Sequence, residues 1–410
     1  MSRAAHLQTE KRYREGTHRT RSPAETMARF AGHARSLGIT RIANVTGLDY
    51  LGVPVFMAMR PNSKSLSVSQ GKGIDAASAK ASALMEAIEL AHAESVPRPT
   101  KRCDYVHLSK RARATNPAFL PRLKSTPLIP QQAFSWMRGV DLMDGAEIWV
   151  PYDLVHTDFS SPARENVLFC SSNGLASGNH YLEAVCAGIC EVIERDATTL
   201  WNFRDHHDKA GRRLRLGRIR ERNCRALLDQ LDEREMSVAV WNITTDIGVA
   251  CFLCRLQESP GNQRSNLRAF WGAGCHLSRE VAFLRAVTEA AQSRLTYISG
   301  SRDDLHRRDY LVAGEASLFS AVQDAWEVTT AQTRFDDVPA RAGTTFEADV
   351  ASLLEGLRNS GIAQVAAVDL TNEQFGIPVV RIIIPGLEAH DSHARLKLGP
   401  RARALARASR

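Results

Sequence analysis

The period of the apolar positions changes several times along the chain, and each change marks an element. Residues 22–35 open with Ser22-Pro23-Ala24-Glu25, which places Ser at an N-cap, Pro at the first helical position and Glu at N3. An amphipathic run follows, so the pattern predicts a helix ending near Arg35. From Arg41 the period becomes that of strands: "RIANVTGLDYLGVPVFMAMRP" holds two β-rich runs split by Gly47, Asp49 and Gly52. "SLSVSQ" reads as another strand after the turn at Pro61-Asn62. Later strand candidates are "AFSWMRGVDL", "EIWVPYDLV", "SVAVWNITT", "VACFLCRLQ", "LRAFWGAG", "AQVAAVDL" and "VVRIIIP", with helices between several of them. The mixture predicts an α/β or mixed α+β fold around a large mixed sheet, since hairpin-like pairs argue against a purely parallel one.

Three of the predicted helices share a polar signature. "SALMEAIEL" (82–90), "AGICEVIER" (187–195) and "RAVTEAAQS" (285–293) each carry Glu-x-x-Glu or Glu-x-x-Gln. Each follows a strand-like run and a Gly-rich stretch, "SQGKG", "SNGLASGN" or "WGAGC", which reads as one unit of strand, Gly turn and acid-bearing helix used three times. In the first copy Ser82, Glu86 and Glu89 share a stripe beside the apolar Ala81, Leu84, Met85 and Ile88. The rest of that side is Ser78, Ala79 and Ala93, so no Lys or Arg at helical spacing neutralises the pair. In the second copy Glu183, Glu191 and Glu194 fall within about 80° of one another, with Arg195 at the rim and Val185, Ile189, Val192 and Ile193 opposite. In the third, Arg285, Glu289 and Gln292 lie within about 60°, whereas Arg294 points away. Arg285 is therefore preferred to Arg294 as a site residue.

If the three helices face a common cleft, six glutamates meet there: Glu86, Glu89, Glu183, Glu191, Glu194 and Glu289. Like charges at that density hold protons unless cations compensate them. Mg2+ is the natural compensator, because it prefers carboxylates and takes remaining ligands from substrate phosphates. A nucleotide follows, and Arg195, Arg285 and either Lys11 or Arg19 would meet the phosphates the metal leaves. A glycosidase needs only two carboxylates. A di-iron site needs two Glu-x-x-His pairs, and Glu89 with His92 supplies one, His92 reading better as a rim residue. "GKG" at 71–73 lacks the rest of a P-loop, and "GKGIDA" has no ribose-binding acid ending a second strand where a dinucleotide fold requires it. Gly-x-Ser-x-Gly is absent; Ser177 in "GLASGN" reads as a turn residue before a helix starting at Asn179.

Charge and cysteine content narrow the class further. The 410 residues carry a formal net charge of +8, concentrated in "KRYREGTHRTR" near the start and "RARALARASR" at the end. Such ends read as solvated segments, or as attractors of an anion such as phosphate, RNA or an acidic peptide. Eight cysteines in so long a chain do not form a disulfide framework, and Cys251-x-x-Cys254 lies in a strand pattern with alternating faces, so the thiols read as structural. A mean hydropathy of −0.26 and a polar start argue against a membrane span or signal peptide, and a cytoplasmic protein is expected.

The motifs together resemble the YcaO family of ATP-dependent enzymes that modify peptide backbones. The resemblance runs through "TGLDYLGVPVFMAMRP", "SVSQGKG", "SALMEAIE", "SNGLASGNHYLEAVCAGICEVIERDA" and "RAVTEAAQSR", covering most of residues 40–385. It implies a YcaO-type domain at 41–385, between a basic arm with the first helix (1–40) and a basic tail (386–410). By resemblance, Mg-ATP falls to Glu86, Glu89, Glu183, Glu191, Glu194, Arg195, Arg285 and Glu289, with Asn179 as a further nucleotide contact and Ser82 beside the phosphates. The implied reaction adds a nucleophile to a backbone amide and transfers the γ-phosphate to the amide oxygen; the nucleophile decides between azoline, thioamide and amidine. The C-terminus lacks the Pro-rich end frequent in azoline-forming members. "VSQGKG", "EAAQSRLTYISGSRDD" and "IPGLE" are similar to the branch that occurs with TfuA-like proteins. The resemblance thus implies a thioamide-forming enzyme acting on a precursor peptide or protein with a TfuA-like partner; an azoline-forming cyclodehydratase and a non-catalytic ATP-binding accessory protein are the alternatives. A homodimer is left open, and neither membrane nor nucleic acid is expected as a partner.

Overall fold

The computed structural model describes residues 8–160, 167–259, 264–265, 267, 269–305, 310, 331–390 and 395–408. Parts of the predicted basic ends, residues 1–7, 391–394 and 409–410, lie outside the described residues, as does residue 268 in the "LRAFWGAG" strand candidate.

Strands β1 (Arg41–Asn44), β2 (Val55–Met59) and β3 (Val68–Lys72) form one antiparallel sheet in that order. A second has β9 (Cys251–Glu258) between β8 (Met236–Asn242) and β10 (Phe270–Cys275). The third runs β4 (Arg102–Asp104), β5 (Ala133–Asp141), β11 (Ala366–Asp369), β12 (Val379–Ile383) and β7 (Leu175–Ser177), with β6 (Glu147–Pro151) also paired to β5. The α+β class is as read, but the one large mixed sheet resolves into three sheets whose ladders are antiparallel. Short links such as those joining β1 to β2 and β5 to β6 permit only that direction.

Among the described residues the helices are α1 (Pro23–Phe30), α2 (Ala76–Glu94), α3 (Tyr105–Ser109), α4 (Tyr181–Trp201), α5 (His206–Gly211), α6 (Arg222–Glu233), α7 (Arg279–Ser299), α8 (Phe346–Asn359) and α9 (Pro400–Ala408). The capping box of α1 is present: the Ser22 amide and hydroxyl donate to Glu25 at 2.7 and 2.8 Å, and the Glu25 amide donates back to Ser22 Oγ. The α-helix stops before Arg35, passing at Phe30 into a 3-10 turn that holds the poor helix former Gly32.

Two of the predicted glycine turns prove to be strand positions. Gly71 lies in β3, and Gly272 and Gly274 lie in β10. A Cβ on Gly71 would collide with the backbone of Ala83 in α2, and one on Gly272 with the backbone of Ala290 in α7. Glycine there lets each helix lie directly on its strand, which brings the acidic stripes of α2 and α7 close to the sheet edges. The opposite face of α2 is sealed by Leu84, Ala87 and Ile88, all fully buried; burying a Leu or Ile stabilises by roughly 1.5–3 kcal/mol. Faces do alternate along β9, but both sides are core: Cys251 and Leu253 pack toward α4, while Phe252, Cys254 and Leu256 pack toward α6 and α7. All eight cysteines are free thiols.

The basic ends are tied down where described. Glu347 accepts from the Thr9 amide and hydroxyl, and in α9 Arg401 pairs with Asp196 of α4 at 3.1 Å and with Asp246. Among the described residues no helix is long and apolar enough to cross a membrane.

Candidate active site

Helices α2, α4 and α7 converge on one cleft of about 1230 Å³, lined by Glu86, Glu89, Glu183, Glu191, Glu194 and Glu289 together with Ser82, Asn179, Arg195 and Arg285. Ten of the eleven expected residues thus surround one space, Asn179 having been expected from the resemblance rather than from helical spacing. The exception is Lys11. Its ammonium is buried, ion-paired with Asp349 and donating to the Gly343 carbonyl at 3.0 Å, and it is not among the lining residues. Desolvating Asp349 requires a permanent counter-charge, which Lys11 supplies. The alternative, Arg19, does line the cleft, 3.7 Å from Glu183.

Four of the carboxylates are held by specific donors. Ser177, a strand residue of β7 rather than the expected turn, donates its amide and hydroxyl to Glu89 at 2.8 and 2.7 Å. Thr20 donates both its groups to Glu183 at 2.9 Å. The Cys275 amide at the end of β10 donates to Glu194 at 2.9 Å, and Lys72 meets Glu289 at 2.5 Å. Asn179 does not start α4, whose N-cap is His180; its side-chain amide donates instead to Thr26 at 2.9 Å. Arg195 stands 3.9 Å from Glu191, and Arg285 4.0 Å from Glu194. Arg294 is fully buried on the far side of α7, bonded to Asp49 and Glu258. His92 is also buried, its Nδ1 at 2.8 Å from the Ile88 carbonyl, and does not reach the rim.

The electrostatics follow from too many acids in too little water. Burial pushes the Glu89 carboxyl up to about 8, with Glu86 and Glu191 adding to the effect against the Ser177 bonds. Burial likewise raises Glu191 to about 7, partly opposed by Arg195. Glu86 and Glu194 are raised for the same reason, Arg302 and Lys72 opposing at Glu86 and the neighbouring Glu289 adding at Glu194. Burial acts on Glu289 too, but Lys72 and Arg195 outweigh it and hold that carboxyl down to about 2. Several acids therefore keep protons near neutral pH, which is the condition a divalent cation relieves. The buried Nε of Arg285 has no partner within the protein, an open donor at the acidic end of the cleft. Hard oxygen donors, surplus negative charge and an unused guanidinium fit Mg2+ with a phosphate chain.

A separate group, His18, His276 and Asp349, has ligand-type atoms within 4.8 Å of one another. Lys11 already stands there as the cation, 3.5 Å from His18 Nδ1, while His276 Nδ1 accepts from the Ser278 amide. That group reads as a closed structural cluster.

Sequence reasoning missed Gln70, Ser177 and Arg302, which line the cleft, and Thr20, which bonds Glu183, and it weighed Lys72 only as part of a P-loop. These residues come from strands, loops and the end of α7, where no periodicity points toward the acids.

Residues 70–388 match the family model described as YcaO cyclodehydratase, ATP- and Mg2+-binding. The chain is 35% identical over 393 residues to a protein of Rhizobium leguminosarum bv. trifolii described as lying in the tfuA 3' region, covering 93% of this chain and 91% of that one. It is 33% identical over 375 residues to an uncharacterised protein of Methanothermobacter thermautotrophicus, covering 89% and 94%. Among solved structures it resembles YcaO from Methanopyrus kandleri bound with AMPPCP and Mg2+, with a TM-score of 0.74, 24% identity and coverage of 96% and 98%. It also resembles a heterocyclase in complex with substrate and cofactor, with a TM-score of 0.76 and 22% identity, and spans 93% of this chain but 54% of that one.

Proposed function

The chain belongs to the YcaO family, whose members are ATP-dependent peptide-modifying enzymes, and on that premise we propose that it activates a backbone amide for thioamide formation with a TfuA-like partner. The observation that carries the reading is the convergence of six glutamates with Arg195 and Arg285 on one cleft, where burial pushes Glu89 and Glu191 up. The relative in the tfuA 3' region supports the choice of partner and hence of sulfur as nucleophile.

In this reading sulfide adds to the carbonyl carbon of a backbone amide, and the C=O π pair moves onto oxygen. That oxygen attacks the γ-phosphorus, the bond to ADP breaks, and the C–O bond then breaks to release phosphate while the added sulfur gives up its proton to solvent, leaving C=S. Glu86, Glu89, Glu183, Glu191, Glu194 and Glu289 would hold Mg2+, which when bound neutralises the carboxylates and the phosphate charge. Arg195 and Arg285 would bind the phosphate oxygens, Arg285 through its unpartnered Nε as well as its terminal nitrogens. Ser177, Thr20 and the Cys275 amide fix the carboxylates in place, so little rearrangement is required when charge develops. Asn179 and Ser82 would contact the nucleotide along the same wall.

The test is a reconstitution of the purified chain with the TfuA-like partner, sulfide, ATP and a cognate peptide. Phosphate release with the mass change of O-to-S exchange is expected. Loss of water from the peptide instead would identify an azoline-forming cyclodehydratase, and nucleotide binding without turnover an accessory protein.

A further inference from the structure

The two ends of the cleft differ in chemistry. Along α7, Arg285 and Glu289 face the acids of α4, while Thr296 lies about 16 Å beyond Arg285 and about 10 Å beyond Glu289 along the helix axis, at 1.5 Å per residue. At that far end the wall is Gln70, Thr296, Tyr297, Phe270, Leu66 and Leu305. Phe270 and Tyr297 pack with ring centroids 5.7 Å apart, and Ser67, beside Leu66, bonds Asp303 at 2.6 Å, which joins the loop before β3 to the segment after α7. The wall is therefore continuous and half apolar.

Gln70 is the amide among the polar groups of that wall. The residue is 3% exposed, and its side-chain oxygen faces the Thr296 hydroxyl, whose one proton is shared with the Gln292 carbonyl at 2.8 Å. Its Nε2 is buried with no partner, while the residue lines the cleft. An unpaired buried amide donor is costly, and a ligand acceptor would offset that cost. The backbone N–H of the same residue favours the charged form of Glu86, which sets this donor beside the acidic wall. Arg302 also lines the cleft here but is bonded to Asp304, so a phosphate would draw on Arg195, Arg285 and the metal at the other end; a neutral two-proton donor beside aromatic and aliphatic surface suits a neutral carbonyl flanked by side chains.

We propose that Gln70, oriented by Thr296, binds the carbonyl oxygen of the substrate's backbone amide, and that the Phe270–Tyr297–Leu66–Leu305 wall receives the adjoining peptide. This rests on the ATP-dependent amide-activation reading and adds its acceptor subsite. Holding the carbonyl there polarises it toward the incoming nucleophile and sets its oxygen on the Glu86 side of the cleft.

The probe is acetyl-Gly-Gly-N-methylamide, titrated into the full-length protein both alone and saturated with Mg-AMPPCP, with the Gln70 side-chain amide followed by 15N–1H NMR. The Gln70 signals should move with the peptide. Gln70→Leu should weaken the peptide at least fivefold while changing Mg-AMPPCP affinity less than twofold. Thr296→Val, which leaves Gln70 in place, should weaken the peptide two- to threefold and serves if Gln70→Leu does not fold. Gln70 signals that move with Mg-AMPPCP and not with peptide, or unchanged peptide affinity in both variants, would overturn the proposal. If Mg-AMPPCP fails to bind wild-type protein, the nucleotide reading falls, and the peptide titration of the nucleotide-free protein then decides the subsite by the same criteria.

Discussion

Helix α7 carries two buried charge clusters on opposite faces, and they differ in balance. On one face Arg294 bonds Asp49 at 2.8 Å and Glu258 at 3.0 Å, and Tyr50 also donates to Glu258. Opposite it, Arg285 and Glu289 join five further glutamates around an open cleft, where burial pushes most of the carboxyls up. Burial is common to both clusters. What marks the second is that its carboxylates line a space large enough for a ligand, where burial pushes several of them up, so they are poised to exchange protons for metal. In the first, Arg294 bonds both carboxylates directly and only its Nη1 is left without a partner.

That contrast should survive mutation, starting with the largest effect. Arg294→Ala removes the cation from a closed cluster and leaves Asp49 and Glu258 uncompensated, so chemical denaturation should show a loss of about 3–5 kcal/mol, while the folded fraction still binds Mg-AMPPCP normally. Lys11→Met should behave alike, because Asp349 is left in the same position; a selective loss of nucleotide affinity would return Lys11 to the site. Glu194→Gln, in the open cluster, should reverse the pattern: calorimetric titration should show Mg-AMPPCP about 100-fold weaker, near 2.7 kcal/mol, with the thermal midpoint unchanged or higher.

The pH dependence sharpens the distinction. Glu89 and Glu191 bind protons more tightly folded than unfolded, so the metal-free protein should lose stability as pH rises from about 4.5 through 7 and 8. Mg-ATP should displace roughly one proton at pH 7 and stabilise more as pH rises, seen as buffer-dependent binding heats. Glu289, held down by Lys72, contributes oppositely: its stabilisation is present above its ordinary range and is lost as pH falls toward about 2. The smallest effect is expected for Glu89→Gln, which keeps an oxygen for Ser177 and removes the ionisation penalty. At pH 8 it should stabilise the metal-free protein by on the order of 1 kcal/mol while weakening Mg-AMPPCP about tenfold. A destabilised Glu89→Gln would mean that its carboxylate is internally matched after all.

How much was legible follows from where each residue sits. Helical period alone grouped Glu86 with Glu89, and Glu183 with Glu191 and Glu194, and turned Arg294 away from Arg285, because neighbours at i+3 and i+4 share a face whatever the tertiary structure does. The capping box of α1 and most strand positions were equally local. The glycines were visible but misread, since a glycine that opens a turn and one that admits a helix onto a strand look the same in a sequence. That Gly71 and Gly272 lie within strands was decided only by the packing of α2 and α7.

The sequence by itself determined the acidic stripes, their missing counter-charges and the helices that carry them, because those are properties of one element at a time. Only the tertiary structure decided that the stripes share a cleft, that Lys11 belongs to Asp349, that Ser177 and Thr20 hold the glutamates, and that Gln70 is left with an unused donor. Each of these depends on residues far apart in the chain, Lys11 with Asp349 or Gln70 with Thr296, whose meeting is set by how three antiparallel sheets and their helices close on one another.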